Sequence, residues 1–119
     1  MAKKFDFGNS ILEIEILNKE YKINAGSKSV KDALKKLAEE TVEIAKLQES
    51  NEENVEEVYV KRLCETVKSF VEVTLGNGSY EEIFSDRIVD VLDHIELATH
   101  ICNEIEKFKV NRLKKYMRN

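Results

Sequence analysis

The chain has 119 residues, no proline, 35% charged and 42% apolar side chains, and a net charge of −4. That length gives a single domain, 1–119, with a core that needs no staples, and that apolar content excludes a disordered chain. The acidic balance disfavours nucleic acid as a main partner, no apolar run of about 18 residues exists to span a membrane, and "MAKKFDFGNS" lacks a secretion signal's apolar stretch, so a cytoplasmic protein is expected.

The opening fifth reads as a β-hairpin, residues 1–26. In "ILEIEIL", Leu12, Ile14 and Ile16 share one face and alternate with Glu13 and Glu15, the period of a half-buried strand. The polar link "NKE" is followed by "YKIN", with Tyr21 and Ile23 on one face. Phe5 and Phe7 alternate too and extend the first strand or add a third. Two strands alone are marginal in water, so the hairpin must lean on helices.

The rest, 27–119, reads as helical. Ser29 with Asp32 resembles a capping box. From there Val30, Ala33, Leu34, Leu37, Ala38, Thr41, Ile44 and Ala45 recur at helical spacing to about Gln48. Asn51 or Asn54 caps the next helix. That helix presents Val55, Tyr59, Leu63, Val67, Phe70, Val71 and Thr74 on one face and runs to about Leu75. The longest pattern follows "GNG". Ile88, Val91, Leu92, Ile95, Ala98, Cys102 and Ile105 form a main stripe, with Leu97, Ile101 and Phe108 beside it. A helix apolar over that arc is central in a bundle or meets another subunit. The expected fold is α+β, mainly α: a hairpin, then three longer helices and one short turn near Tyr80 to Phe84.

"LGNGSYEEIFSDR" poses the choice between a phosphate loop and a helix break. A phosphate loop needs a preceding strand and, in the Walker form, a closing Gly-Lys-Ser/Thr. Here a helix precedes and the closing triplet is absent. Gly76 suits a left-handed helix end, Ser79 and Glu82 suit a capping box for a new turn, and Ile83 and Phe84 supply an apolar plug.

The helix end and break "VKSFVEVTLGNGSYEEIF", the following "SDRIVDVLDHIELATHI", and the opening "EIEILNKEYKIN" resemble the tail assembly chaperones of long-tailed, siphovirus-type phages and prophages. The likeness covers most of the chain and lies in the order of the parts. After the plug this chain keeps the family's arginine, as Arg87, and departs from its further glycine. The resemblance implies a non-enzymatic viral protein in the bacterial host cytoplasm. Such a chaperone binds the tape measure protein, keeps it soluble and helps tail-tube subunits assemble around it. Many are also made in a longer, frameshifted form.

The residues themselves offer little chemistry. Cys64 and Cys102 form no CxxC pair and sit on or beside apolar stripes, so reduced, buried thiols are expected. Asp90, Asp93 and His94 are the best metal cluster, but they are too few for zinc or a hard cation and read as a solvated helix edge. His100 lies off that face. A catalytic thiol, Cys64 or Cys102 with either histidine, is disfavoured because an apolar setting keeps the proton on sulfur. Glu39 with Glu43 lacks the Glu-x-x-His motif of metal-binding bundles. No cofactor, metal or catalytic residue is therefore expected.

Charge is uneven. Eight glutamates and one lysine fall between Glu39 and Glu57, and six basic residues with no acid run from Lys107 to the end. The basic tail (Lys107, Lys109, Arg112, Lys114, Lys115, Arg118) complements a helix C-terminus, or meets the acidic segment of a neighbouring copy or client. In the alternative function, a small nucleic-acid-associated regulator, it grips phosphates. Leu97, Ile101 and Phe108, with Lys107, Arg112 and Lys115, are the candidate partner-binding or oligomer residues, and ordinary core is the other role open to the three apolar ones.

Overall fold

The structure, a computed structural model, describes residues 2–3, 10–47, 55–85, 87 and 90–117. The expectations for Phe5, Phe7, Gln48, Asn51, Asn54, Ile88 and Arg118 fall outside the described residues. The elements run β1 (Ile11–Ile16), β2 (Lys19–Asn24), α1 (Lys28–Lys46), α2 (Val55–Leu75), α3 (Ser79–Phe84) and α4 (Val91–Lys114). The fold is α+β and mainly α, a two-stranded antiparallel hairpin followed by four helices.

The strict alternation of β1 is realised in full. Leu12, Ile14 and Ile16 are buried and the residues between them exposed. Ile14 pairs with Tyr21 and Leu12 with Ile23, so the two inward rows meet on one face. The turn is tighter than the polar link suggests. Ile16 pairs with Lys19, leaving only Leu17 and Asn18 in the loop, both at positive φ (50° and 67°). Two left-handed residues make the turn whose twist matches that of the strands, so Lys19 and Glu20 belong to β2.

Ser27, not Ser29, caps α1: its hydroxyl accepts from the Val30 N–H at 3.1 Å. The cap falls two residues early because Ser29 is already inside the helix. α1 and α2 form an antiparallel pair. Arg62 reaches Glu40 across it at 3.2 Å. α1 is thinly covered, with only Val30 and Ile44 buried and Ala33, Leu34 and Leu37 packed at its edge. α2 is the hub, meeting α1, α3, α4 and β2, and it buries Leu63, Val67, Phe70, Val71, Thr74 and Leu75. One apolar cluster draws residues from every strand and helix.

The break after α2 is structural. Gly76 and Gly78 both take positive φ (109° and 88°), which glycine adopts without a Cβ clash. The Gly78 N–H donates to the Glu72 carboxylate at 2.7 Å. An internal anion therefore occupies this amide. The capping box is not formed. Gly78 is the N-cap of α3, and Ser79 turns inward, its hydroxyl 2.6 Å from the Gly76 carbonyl.

Glu82 is instead drawn to the hairpin. Its Oε2 accepts from Lys19 Nζ, and from the Tyr21 hydroxyl at 3.0 Å. The Lys19 and Tyr21 hydrogen bonds pull its carboxyl below the usual carboxylate range. Burial, then the Glu82 hydrogen bond and charge, push the Tyr21 phenol from 10.0 to about 12. A depressed carboxyl stabilises the fold above its ordinary value and loses that contribution as pH falls below it; a raised phenol contributes below 10.0 and loses as pH rises towards 12. Denaturant titration across pH should therefore show an acid-side loss that Glu82→Gln reduces and a loss between pH 10 and 12 that Tyr21→Phe removes. Unchanged slopes in both variants would refute the tie.

Candidate functional site

His94 organises the head of α4. It has no exposed surface and lies among aromatic rings. Its imidazole stacks on Phe84, with centroids 4.5 Å apart and planes at 17°, and stands 5.6 Å from the Tyr80 ring. Nδ1 lies 2.8 Å from the Asp90 carbonyl, and Nε2 lies 2.7 Å from the Tyr80 hydroxyl. A carbonyl only accepts, so Nδ1 carries a proton; in the neutral ring Nε2 accepts from Tyr80. Both ring nitrogens are satisfied, as a buried polar group requires.

The expected metal cluster is therefore dispersed. Asp90 is the α4 N-cap, accepting from the Leu92 N–H at 2.7 Å. Asp93 pairs with Arg87 at 3.0 Å. His94 faces inward and is no solvated edge. Among the described residues no group of three or more His, Cys, Asp or Glu is placed to hold a metal ion.

Sequence periodicity misjudged the roll of α4. Its buried residues are His94, Leu97, Ala98, Ile101 and Ile105, at steps of three and four along one face. Of the expected main stripe, Ala98 and Ile105 are buried, Val91 and Cys102 are half-buried, and Leu92 and Ile95 face solvent. Counting His94 as polar hid the true stripe.

The partner-binding candidates consequently separate. Leu97 and Ile101 are core, Ile101 with no exposed surface at all, and of the two roles open to them the structure gives that one. Phe108 is half-buried against the core, with the Arg112 guanidinium 6.0 Å from its ring centroid. Lys107 pairs with Glu104 at 3.6 Å, and Lys115 is exposed beyond the helix end. They do not make one site.

Two grooves remain. The first lies between α1 and α2, with a volume of about 280 Å³. Ala33, Leu37, Phe70 and Val73 supply apolar lining, and Lys36, Glu40, Arg62 and Glu65 supply both charge signs. The second, about 260 Å³, runs beside the hairpin turn over Ile16, Leu17, Ile83, Phe84 and Leu97, edged by Arg87, Asp93, Glu96 and His100. Neither contains a cysteine. Sequence reasoning missed the first groove because it is a gap between two facing helices; the small residues facing it, Ala33 and Ser69, were the signal available.

Both cysteines are free and half-buried. Burial, then the Asp90 charge, raises the Cys64 thiol; burial raises Cys102. Alkylation at neutral pH should run several-fold slower in the folded chain than in denaturant, and equal rates would contradict the burial. Ile101→Asp would place a carboxylate in the core, so it should abolish cooperative unfolding or cost about 3 kcal/mol or more. A stable Ile101→Asp variant would return that residue to the surface.

No helix among the described residues is long and apolar enough to cross a membrane. No curated protein and no solved structure matches the chain. A family model does, over residues 12–119, from the first buried residue of β1 through α4. The chain belongs to the family of unknown function DUF6673.

Proposed function

We propose that this chain is a tail assembly chaperone of the long-tailed phage type, which holds amphipathic helices of a tape measure protein and keeps them from one another during tail assembly. The observation that carries the reading is the groove between α1 and α2. Its apolar lining and mixed-charge rim suit the stripe of an amphipathic helix anchored at i, i+3 and i+4. Its volume of about 280 Å³ lies at or below the small end of small-molecule sites, roughly 300–1,000 Å³. It suits a few inserted side chains better than a cofactor. The thin cover of α1 adds support: a helix with only two buried residues can shift outward at low cost to admit a client.

The order of parts that resembles this class, a hairpin, a glycine break and a plug before the last helix, also forms in three dimensions. The hairpin clasps the plug helix through Lys19, Tyr21 and Glu82. With α2 held by α3, α4 and β2, α1 is the helix free to move away from the groove.

Synthetic amphipathic helices tiled along a siphovirus-type tape measure protein should bind with micromolar or better affinity by calorimetry. Leu37→Glu and Val73→Glu, at partly exposed positions, should weaken that binding about tenfold or more while far-UV circular dichroism stays unchanged. Failure of every tape measure segment to bind, or binding indifferent to both substitutions, would overturn the proposal.

A further inference from the structure

The groove between α1 and α2 has two lips of opposite charge. Its floor is apolar, made by Ala33 and Leu37 of α1 and Phe70 of α2. Leu37 packs against the core and Phe70 is buried in it. Lys36 stands about 100° round α1 from Leu37, and Glu65 about 140° round α2 from Phe70. Both therefore lie on the outer side of the recess, and both are exposed.

The helices run antiparallel, and Arg62 meets Glu40 across them at 3.2 Å. About one turn from that pair, back along α1 and forward along α2, come Lys36 and Glu65. They face each other across the recess at about the same level. Arg62 and Glu40 neutralise one another, whereas neither Lys36 nor Glu65 makes an ion pair among the described residues.

That arrangement chooses among partners. A polyanion, whether nucleic acid or an anionic membrane, would gain Lys36 and meet Glu65 beside it. A purely basic segment would meet the reverse. A helix with one acidic and one basic flank beside its apolar ridge offers each lip its opposite. We infer, resting on the client site proposed above, that Lys36 and Glu65 read the charge of the client. The groove takes amphipathic helices whose ridge has acid on one side, against Lys36, and base on the other, against Glu65. The same lips fix direction, because turning a helix end for end exchanges its two flanks. Exposed opposite charges add little affinity; they act on choice and orientation.

Three synthetic helices of about 21 residues, long enough to be helical in water, test this. All carry one leucine ridge, flanked by glutamate on one side and lysine on the other, by glutamate on both, or by lysine on both. By calorimetry at low salt the mixed helix should bind the unmodified chain about threefold or more tighter than either of the others. Lys36→Glu should move the preference to the all-lysine helix, and Glu65→Lys to the all-glutamate one. Both changes together leave net charge unaltered, so long-range attraction plays no part in their effect. The double variant should prefer the mixed helix again and hold it the other way round. A nitroxide on the N-terminus of that helix should then broaden amide signals at opposite ends of α1 in the unmodified chain and the double variant. If all three helices bind alike and Leu37→Glu releases them, the groove is a client site and the charge assignment falls. A double variant that holds the mixed helix in the original direction would also overturn it. If none of the three binds, the inference falls, and the tape measure segments then decide the reading on which it rests.

Discussion

The hydrogen bonds of one buried side chain, His94, decide how α4 is rolled. Its ring is gripped at both nitrogens, by the Asp90 carbonyl and the Tyr80 hydroxyl, and stacked on Phe84. A polar ring is tolerated in the core only under such full satisfaction. Once it points inward, Leu97, Ile101 and Ile105 follow at helical spacing, and Leu92, Ile95 and Leu113 are turned out. The core seam of α4 and the exposure of those three residues are thus two consequences of one constraint. The helix start is fixed by the same few residues, because Asp90 caps α4 with its side chain while its carbonyl holds the imidazole.

The short helix α3 supplies the other half of this grip. Tyr80 and Phe84 both belong to it, their rings 4.7 Å apart. α3 is too short to be stable alone and is held from three sides. Ile83 and Phe84 enter the core. Glu82 is tied to the hairpin by Lys19 and Tyr21. Its start is set by the glycine break, where Glu72 fills the anion position with a carboxylate of α2. The segment that most resembled a phosphate loop in sequence is therefore the joint that fixes α2, α3, α4 and the hairpin to one another.

How much of this was legible in the sequence depends on how few solutions each pattern admits. β1 has one: a period of two with glutamates between apolar residues can bury only Leu12, Ile14 and Ile16. The existence of the three long helices and the short turn, and the left-handed Gly76, were equally constrained. The caps were not, because "SKS" offers Ser27 and Ser29, and "GNGS" offers glycine and serine; backbone geometry chose between them. α4 was the hardest, since apolar residues lie on two faces and hydropathy ranks them alike. What broke the tie was the pairing of His94 with Tyr80, a contact fourteen residues away in the chain that no periodicity reports. The α1–α2 groove was illegible for the related reason that a space belongs to neither of the helices that bound it.

The two walls of the α1–α2 groove are held differently. The recess has both charge signs at its edge. α2 packs on α3, α4 and β2 as well as on α1, whereas α1 buries only Val30 and Ile44. The wall with few buried contacts is the one that opens at low cost, so α2 is the fixed side of the groove and α1 the side that can shift.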